Sequence, residues 1–309
     1  MPHAPLVPPR TGSRLRWAPA RTRTVTNITN VAIIEPEELH QADAKNRLLL
    51  HIGGAANYAR AHLPDAVLVE PWELVDGAPP ASGRLPSRER LEALFDRLGY
   101  APDLDIVVYD DEGGGWAGRM AWTLDIIGYE RWTYLNGGIH SWRAAGLPME
   151  TGNARSLTSH EVSLSLNLAP VAEIGDVLRA MDDPQQTIWD VRSREEFQGL
   201  KSESRRAGHI PTAVNLDWMA LKDPDRQLRL SENLRALLAD HGVTSDKHII
   251  THCQTHHRSG LSYMVARLLG FPNIRAYHGS WAEWGNRDDT PVAGPTPEAC
   301  QKAPAADPD

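Results

Sequence analysis

The chain has 309 residues, 41% of them apolar and 23% charged, with a net charge of −8 and two cysteines. That length is ample for two domains with separate cores, and no stretch approaches the roughly 20 consecutive apolar residues of a membrane helix. Two cysteines build no disulfide framework, which predicts a reducing compartment, and the acidic balance argues against nucleic acid as the main partner.

Residues 1–30 carry Arg10, Arg14, Arg16, Arg21 and Arg23 with no acidic residue, several prolines and no apolar segment of the kind a secretory signal needs. The prolines also break any amphipathic transit helix, so the reading is a disordered extension or an over-long start on a cytoplasmic protein. Residues 31–150 and 171–293 read as two copies of one unit, joined by a linker over 151–170 and followed by a Pro/Ala-rich, disordered tail over 294–309. His62-Leu63-Pro64-Asp65-Ala66-Val67 is echoed by His209-Ile210-Pro211-Thr212-Ala213-Val214, and Gly128, Gly137 and Trp142 by Gly270, Gly279 and Trp284. The two offsets differ by a few residues, so one small length change relates the copies. Each copy alternates short apolar runs with helix-period segments, which predicts an α/β fold with a parallel sheet covered by helices on both faces.

In the first copy the strand ending Val108-Tyr109 runs into Asp110-Asp111-Glu112 and then Gly113-Gly114-Gly115. A glycine-rich run after a strand suggests phosphate binding, but no Lys-Ser/Thr follows it. In the second copy Val171, Ile174, Val177, Leu178 and Met181 make a helix face and Thr187-Ile188-Trp189 a strand. Ser231 is placed as the cap of a helix carrying Leu234, Leu237 and Leu238 and ending at Gly242. His248-Ile249-Ile250-Thr251 reads as a buried strand, and Leu261, Met264, Val265, Leu268 and Leu269 as a helix stopped by Gly270.

Between that strand and that helix lies His252-Cys253-Gln254-Thr255-His256-His257-Arg258-Ser259-Gly260. Cys253 sits where the helix begins, facing unpaired backbone N–H groups, the positive pole of the helix and the charge of Arg258. Such surroundings favour thiolate over thiol and hold an anion beside the sulfur. The alternative is an inert structural cysteine, but this polar segment offers no apolar run in which to bury a thiol. Cys253, His256 and His257 resemble half of a zinc site. The other cysteine, Cys300, lies in the tail without a partner motif, so no metal is expected.

Cys-x4-Arg-Ser opening a helix resembles the active-site loop of the rhodaneses, and Cys253 to Ser259 is similar to the loop of tandem-domain bacterial thiosulfate:cyanide sulfurtransferases. Asp190-Val191-Arg192-Ser193-Arg194-Glu195-Glu196-Phe197, the segment Gly208 to Asn215, and Gly279-Ser280-Trp281-Ala282-Glu283-Trp284 resemble other recurring rhodanese segments, in the family order. The resemblance implies two tandem rhodanese-like domains, with the cysteine loop after a central strand at the carboxyl edge of the sheet, where open α/β sheets place ligands. It implies no cofactor. The reaction it implies is double displacement, in which Cys253 takes a sulfane sulfur from a donor such as thiosulfate and a persulfide passes it to cyanide or a thiol. With no second cysteine nearby, transfer goes to an external acceptor, a small molecule or a protein.

On this reading Cys253 and Arg258 are catalytic, and the loop N–H groups from Gln254, Thr255, His256, His257 and Ser259 hold the terminal sulfur. Asp190 and Arg192 are read as an internal ion pair that supports the loop, with direct catalysis as the alternative. His256 and His257 either tune the charge near neutral pH or are solvated turn residues. Trp218 and Trp281 either wall a pocket around the sulfur or belong to the core of a chain with 10 tryptophans. The loop has no Lys and position 196 is Glu, a departure from animal enzymes with extra basic residues; Lys201, Arg205 and Arg206 either supply the missing charge or belong to a solvated loop. The first copy, with acids in place of the cysteine, His51 in place of Asp190 and Arg119 too far along to replace Arg258, reads as catalytically silent and one wall of the site. Two rivals remain: a carrier that hands its persulfide only to a protein, and a rhodanese-fold phosphatase or arsenate reductase. The second normally uses Cys-x5-Arg, a larger cradle than the four intervening residues found here.

Overall fold

The computed structural model describes residues 31–294, apart from 44, 155, 156, 159 and 160. The arginine-rich extension, the final tail and Cys300 lie outside the described residues.

The first repeat builds a parallel five-stranded sheet from β1 (Ala32–Ile34), β2 (Arg47–Ile52), β3 (Val67–Val69), β4 (Asp105–Asp110) and β5 (Thr133–Leu135), in the order β1-β5-β4-β2-β3. Helices α1 (Pro36–Gln41), α2 (Ala55–Arg60), α3 (Arg88–Arg97), α4 (Gly115–Ile126) and α5 (Gly138–Ala144) connect them. The second repeat has β6 (Val171–Ala172), β7 (Gln186–Asp190), β8 (Val214–Asn215), β11 (His248–His252) and β12 (Ile274–Tyr277), in the matching order β6-β12-β11-β7-β8. A small antiparallel pair, β9 (Lys222–Asp223) and β10 (Arg229–Leu230), stands apart. Its helices are α6 (Ile174–Ala180), α7 (Arg194–Phe197), α8 (Leu234–Asp240), α9 (Arg258–Leu268) and α10 (Ser280–Trp284). The doubled α/β architecture expected from strand and helix alternation is therefore present.

Alternation along each strand divides the core. Leu48, Leu50 and Ile52 of β2 face one apolar cluster, whereas Leu49 faces another beneath α1 and α5. The largest cluster crosses the repeat boundary, joining Leu50, Val108, Met120 and Trp122 to Trp189, Ile249, Leu261 and Met264. It does so because α4 and α9 are buried on nearly every face and lie against each other. Their contact is at backbone distance: a Cβ on Gly118 would meet the Gly260 carbonyl oxygen at 2.2 Å, and one on Gly260 the Arg119 nitrogen at 2.5 Å.

Two local expectations are corrected. Val171 lies in β6, paired with Ala276, because the helix face begins only at Ile174. Ser231 does not cap α8: Asn233 holds that position, and the Ser231 hydroxyl donates to the Ala220 carbonyl at 3.1 Å.

Candidate active site

Strand β11 ends at His252, and the chain then turns through a loop that enters α9 at Arg258. The turn is made at His256, a non-glycine residue at φ 55°, in the left-handed region. Cys253 at the start of this loop is fully buried. That corrects the expectation that so polar a segment could not bury a thiol, since Cys253 belongs to the same apolar cluster as Ile249 of the strand and Leu261 and Met264 of the helix. Its polar side opens on a cavity of about 240 Å³ lined by Glu196, Lys201, Glu203, Gln254, Thr255, His257 and Arg258. The backbone of Cys253 is fixed by α10: its N–H donates to Ser280 Oγ at 3.4 Å, and its carbonyl accepts the Trp281 N–H at 3.0 Å.

Burial by itself would raise the thiol pKa, yet the group is held below its ordinary value by the Arg258 charge and by hydrogen bonds from Ser259. The Ser259 hydroxyl donates to Sγ at 3.5 Å and lies 2.8 Å from His256 Nδ1. For the hydroxyl proton to point at sulfur, His256 must carry its proton on Nδ1 and donate to Oγ. Burial keeps that imidazole neutral, with a pKa well below its usual value, and the Arg119 charge adds to the effect. His256 is thus a buried, neutral member of a chain leading to Sγ, not a solvated turn residue. His257 is different: it stacks on Trp116 with ring centroids 4.3 Å apart and pairs with Glu112, both from the first repeat.

Arg258 is locked in a bidentate pair with Glu196, at 2.6 and 2.9 Å. Burial would raise the Glu196 pKa, but Arg258 holds it low, and the pair in turn raises the arginine's pKa. The acid noted in sequence only as a departure is therefore the arginine's partner. No spacing rule connects residues 62 positions apart; its place in the Asp190–Phe197 segment was the sole clue. Lys201 lines the cavity, whereas Arg205 pairs with Asp288 at 2.5 Å and Arg206 donates to Thr290 and to the Trp284 carbonyl.

Asp190 and Arg192 form a fully buried ion pair at 2.6 Å beneath the loop. Burial opposes ionisation of Asp190, but His252 and Arg192 hold its carboxyl low. Its oxygen is 3.7 Å from Nε2 of His252, a fully buried histidine whose pKa burial lowers against the pull of the Asp190 charge. The Arg192 guanidinium lies 4.3 Å over the Trp281 ring and donates to the Gly208 carbonyl. Trp281 is accordingly part of this buried support. Trp218 stands behind His257, its ring covered by the Lys222 ammonium at 3.5 Å, and does not line the cavity.

The first repeat reaches the loop directly. A Cβ on Gly83 would lie 1.8 Å from the Thr255 carbonyl oxygen. Arg119, fully buried, donates to the carbonyls of Gly83 and Leu74 at 2.7 Å and approaches that of His256 at 3.4 Å. Burial depresses its pKa to about 9, and the Cys253 charge opposes that fall. So Arg119, too far along to serve its own loop, crosses to the other repeat, which sequence spacing could not show.

Strand register makes Asp110 the counterpart of Cys253, since His51 pairs with Tyr109 where Asp190 pairs with His252. The Asp110 carboxylate is turned inward and accepts the N–H groups of Gly113, Gly114 and Ala117 at 2.8 to 3.0 Å. Gly113 and Gly114, at φ 89° and 103°, give the loop the conformation that aims those groups. The amide cradle of this copy is filled by its own side chain.

Two duplicated parallel sheets, one ending in a cysteine beneath a polar cradle and the other in a carboxylate that fills it, define a tandem α/β protein with one open site and one closed. The chain belongs to the rhodanese family: the Rhodanese-like domain matches residues 35–145 and again 173–287. A thiosulfate sulfurtransferase of Azotobacter vinelandii is 46% identical over 261 residues, covering 84% of this chain and 96% of that protein. Another thiosulfate sulfurtransferase, of Pseudomonas aeruginosa, is 43% identical, with 84% and 96% covered. The sulfur carrier protein TtuD of Thermus thermophilus is 32% identical, with 82% and 93% covered. Among solved structures, the anaerobic ergothioneine biosynthesis enzyme of Chlorobium limicola shares the fold, with a TM-score of 0.76 at 21% identity over 86% of this chain and 70% of that one.

Proposed function

We propose that the chain is a thiosulfate sulfurtransferase in which Cys253 carries the sulfur. The observation that carries this reading is the buried cysteine whose pKa is lowered against its own burial, at the floor of a polar cavity holding Arg258 and Lys201. The thiolate attacks the outer sulfur of thiosulfate; the S–S bond breaks, its electron pair leaves with sulfite, and Cys253 becomes a persulfide. Cyanide or a thiol then attacks the terminal sulfur and the thiolate is restored. Arg258, the Ser259 hydroxyl and the loop amides from Gln254 onward stabilise the charge at the sulfur, Lys201 draws the dianion, and Asp190 with Arg192 holds the strand ends beneath the loop. The first repeat has no nucleophile and positions the loop through Gly83, Glu112 and Arg119. No described helix is long and apolar enough to cross a membrane, and we place the protein in the cytoplasm, where a free thiol stays reduced.

The test is intact mass after incubation with thiosulfate, together with thiocyanate release on adding cyanide. A gain of one sulfur followed by rapid thiocyanate release is expected; no gain refutes the reading. Cys253→Ser abolishes the gain and Cys300→Ser leaves it intact. The likeness to TtuD favours one second reading, a carrier that passes its persulfide to a protein. A mass gain without turnover on cyanide would identify it.

A further inference from the structure

The duplication offers a like-for-like comparison of two places in one molecule. With His51 the counterpart of Asp190, Gly53 stands where the second repeat has Arg192. Likewise Ile139, next to left-handed Gly138, stands where the second repeat has Trp281, next to left-handed Ser280. In the second repeat the Arg192 guanidinium and the Trp281 ring fill the space beside Asp190. In the first, glycine and isoleucine leave it open as a cavity of about 420 Å³, lined by His51, Asn57, Arg60, Asp111, His140 and Arg143. That is within the range of small-molecule pockets.

His51 is fully buried and its Nε2 has no partner among the described residues. The state of that atom follows from its neighbours. Tyr109 Oη accepts the Leu63 N–H at 3.1 Å and lies 3.1 Å from His51 Nδ1. If the hydroxyl donates to Nδ1, one group is left unsatisfied, the Nε2–H. The opposite tautomer would orphan both the phenol proton and the Nε2 lone pair, so the first is favoured. Burial keeps the ring neutral, its pKa lowered to about 4 despite the pull of Asp111. A Cβ on Gly53 would sit 2.8 Å from Nε2 and 3.3 Å from Asp111 Oδ1, so donor and acceptor face one opening.

The rest of the lining is similarly divided. Asp111 Oδ2 accepts from Asn57 at 2.6 Å, which leaves Oδ1 to a ligand. His140 Nε2 donates to the Asp111 carbonyl at 2.8 Å, which leaves Nδ1 as an acceptor. Arg60 and Arg143 add two positive charges, neither in an ion pair with the described residues. A bare anion would meet the Asp111 carboxylate, and a bare cation would meet two guanidinium groups. We propose that this cavity of the cysteine-free repeat binds a small zwitterion of the free amino acid class, its carboxylate towards His51 Nε2–H, Arg60 and Arg143 and its ammonium towards Asp111.

Titration calorimetry of the full chain tests this, with L-serine as probe and acetate and ethylammonium as its separated charges. Serine is expected to give a saturable one-to-one heat, and each half-ligand to bind at least ~10-fold more weakly. Arg143→Ala, on the accessible rim, weakens serine by a similar factor and leaves thiocyanate formation unchanged. Ile139→Trp, which restores the filling found in the second repeat, abolishes binding; should that variant not fold, Asp111→Asn reads the same loss. Absence of a saturable serine heat overturns the proposal. Equal binding of acetate and serine overturns the zwitterion, and serine binding indifferent to all three substitutions overturns the site.

Discussion

At the scale of the residue, the chemistry of Cys253 rests on a balance between burial, which disfavours the thiolate, and the charges and hydroxyl set around it, which favour it. Because the folded thiol has a lowered pKa, the reactive anion persists to lower pH than for an ordinary cysteine, and the rate of sulfur uptake falls only as pH drops through that lowered value. Arg258→Ala removes the largest favourable charge, so the acid limb of the rate profile moves to higher pH and the rate falls by roughly 10²-fold, the loss typical of one charge-stabilising donor. Stopped-flow uptake from thiosulfate across pH checks both. Arg119 adds a second positive charge from the other repeat. Its replacement by Met should also raise the thiol pKa, read by thiolate absorbance, while Arg119→Lys retains the charge and gives a smaller shift. Sequence supplied Cys253 and Arg258 because both stand in one short motif. Glu196, Glu112 and Arg119 were not legible as site residues, since each meets the loop only after distant segments fold together.

At the scale of the element, α4 and α9 explain how the cysteine-free copy comes to hold the cysteine loop. Both follow a strand through a loop, and both are buried almost all round because each is the other's cover. Periodicity alone cannot distinguish such a helix from one covered by its own sheet. Their closest approach is at Gly118 and Gly260, where any side chain would collide with backbone that has no freedom to yield. Gly118→Ala should destabilise the protein by about 1–3 kcal/mol, the usual cost of overpacking, measured by chemical denaturation. Gly83→Ala acts on a different property: its Cβ would strike the Thr255 carbonyl, so thiocyanate formation should fall more than stability does. The elements misplaced from sequence, the start of α6 and the cap of α8, failed at their ends, where a two-residue strand and an alternative hydroxyl partner outweighed local preference.

At the scale of the whole molecule, the two repeats share their largest apolar cluster and a buried polar link. Asp125 in α4 accepts from Tyr263 at 2.7 Å and meets Arg267 at 3.0 Å, both in α9. Breaking so buried a pair leaves a charge without its partner, so Asp125→Ala should cost about 3–5 kcal/mol. The readout is the unfolding transition, which is expected to be single in the parent protein because the largest apolar cluster spans both repeats. A variant that unfolds in one unshifted transition would show that the link contributes nothing to docking. The same joining of repeats gives each a separate use: one presents the cysteine, the other braces it and keeps an open cavity of its own.

The sequence by itself determined the duplication, the α/β alternation and the loop that carries the candidate nucleophile, because these are written in local order: echoed motifs, strand and helix periods, and a cysteine five residues before an arginine at a helix start. Only the tertiary structure decided which charges surround that cysteine, which cradle is open and which is filled by its own carboxylate. Those depend on packing across the repeat boundary and on the direction each side chain takes once strand register is fixed, and neither is encoded in the spacing of residues along the chain.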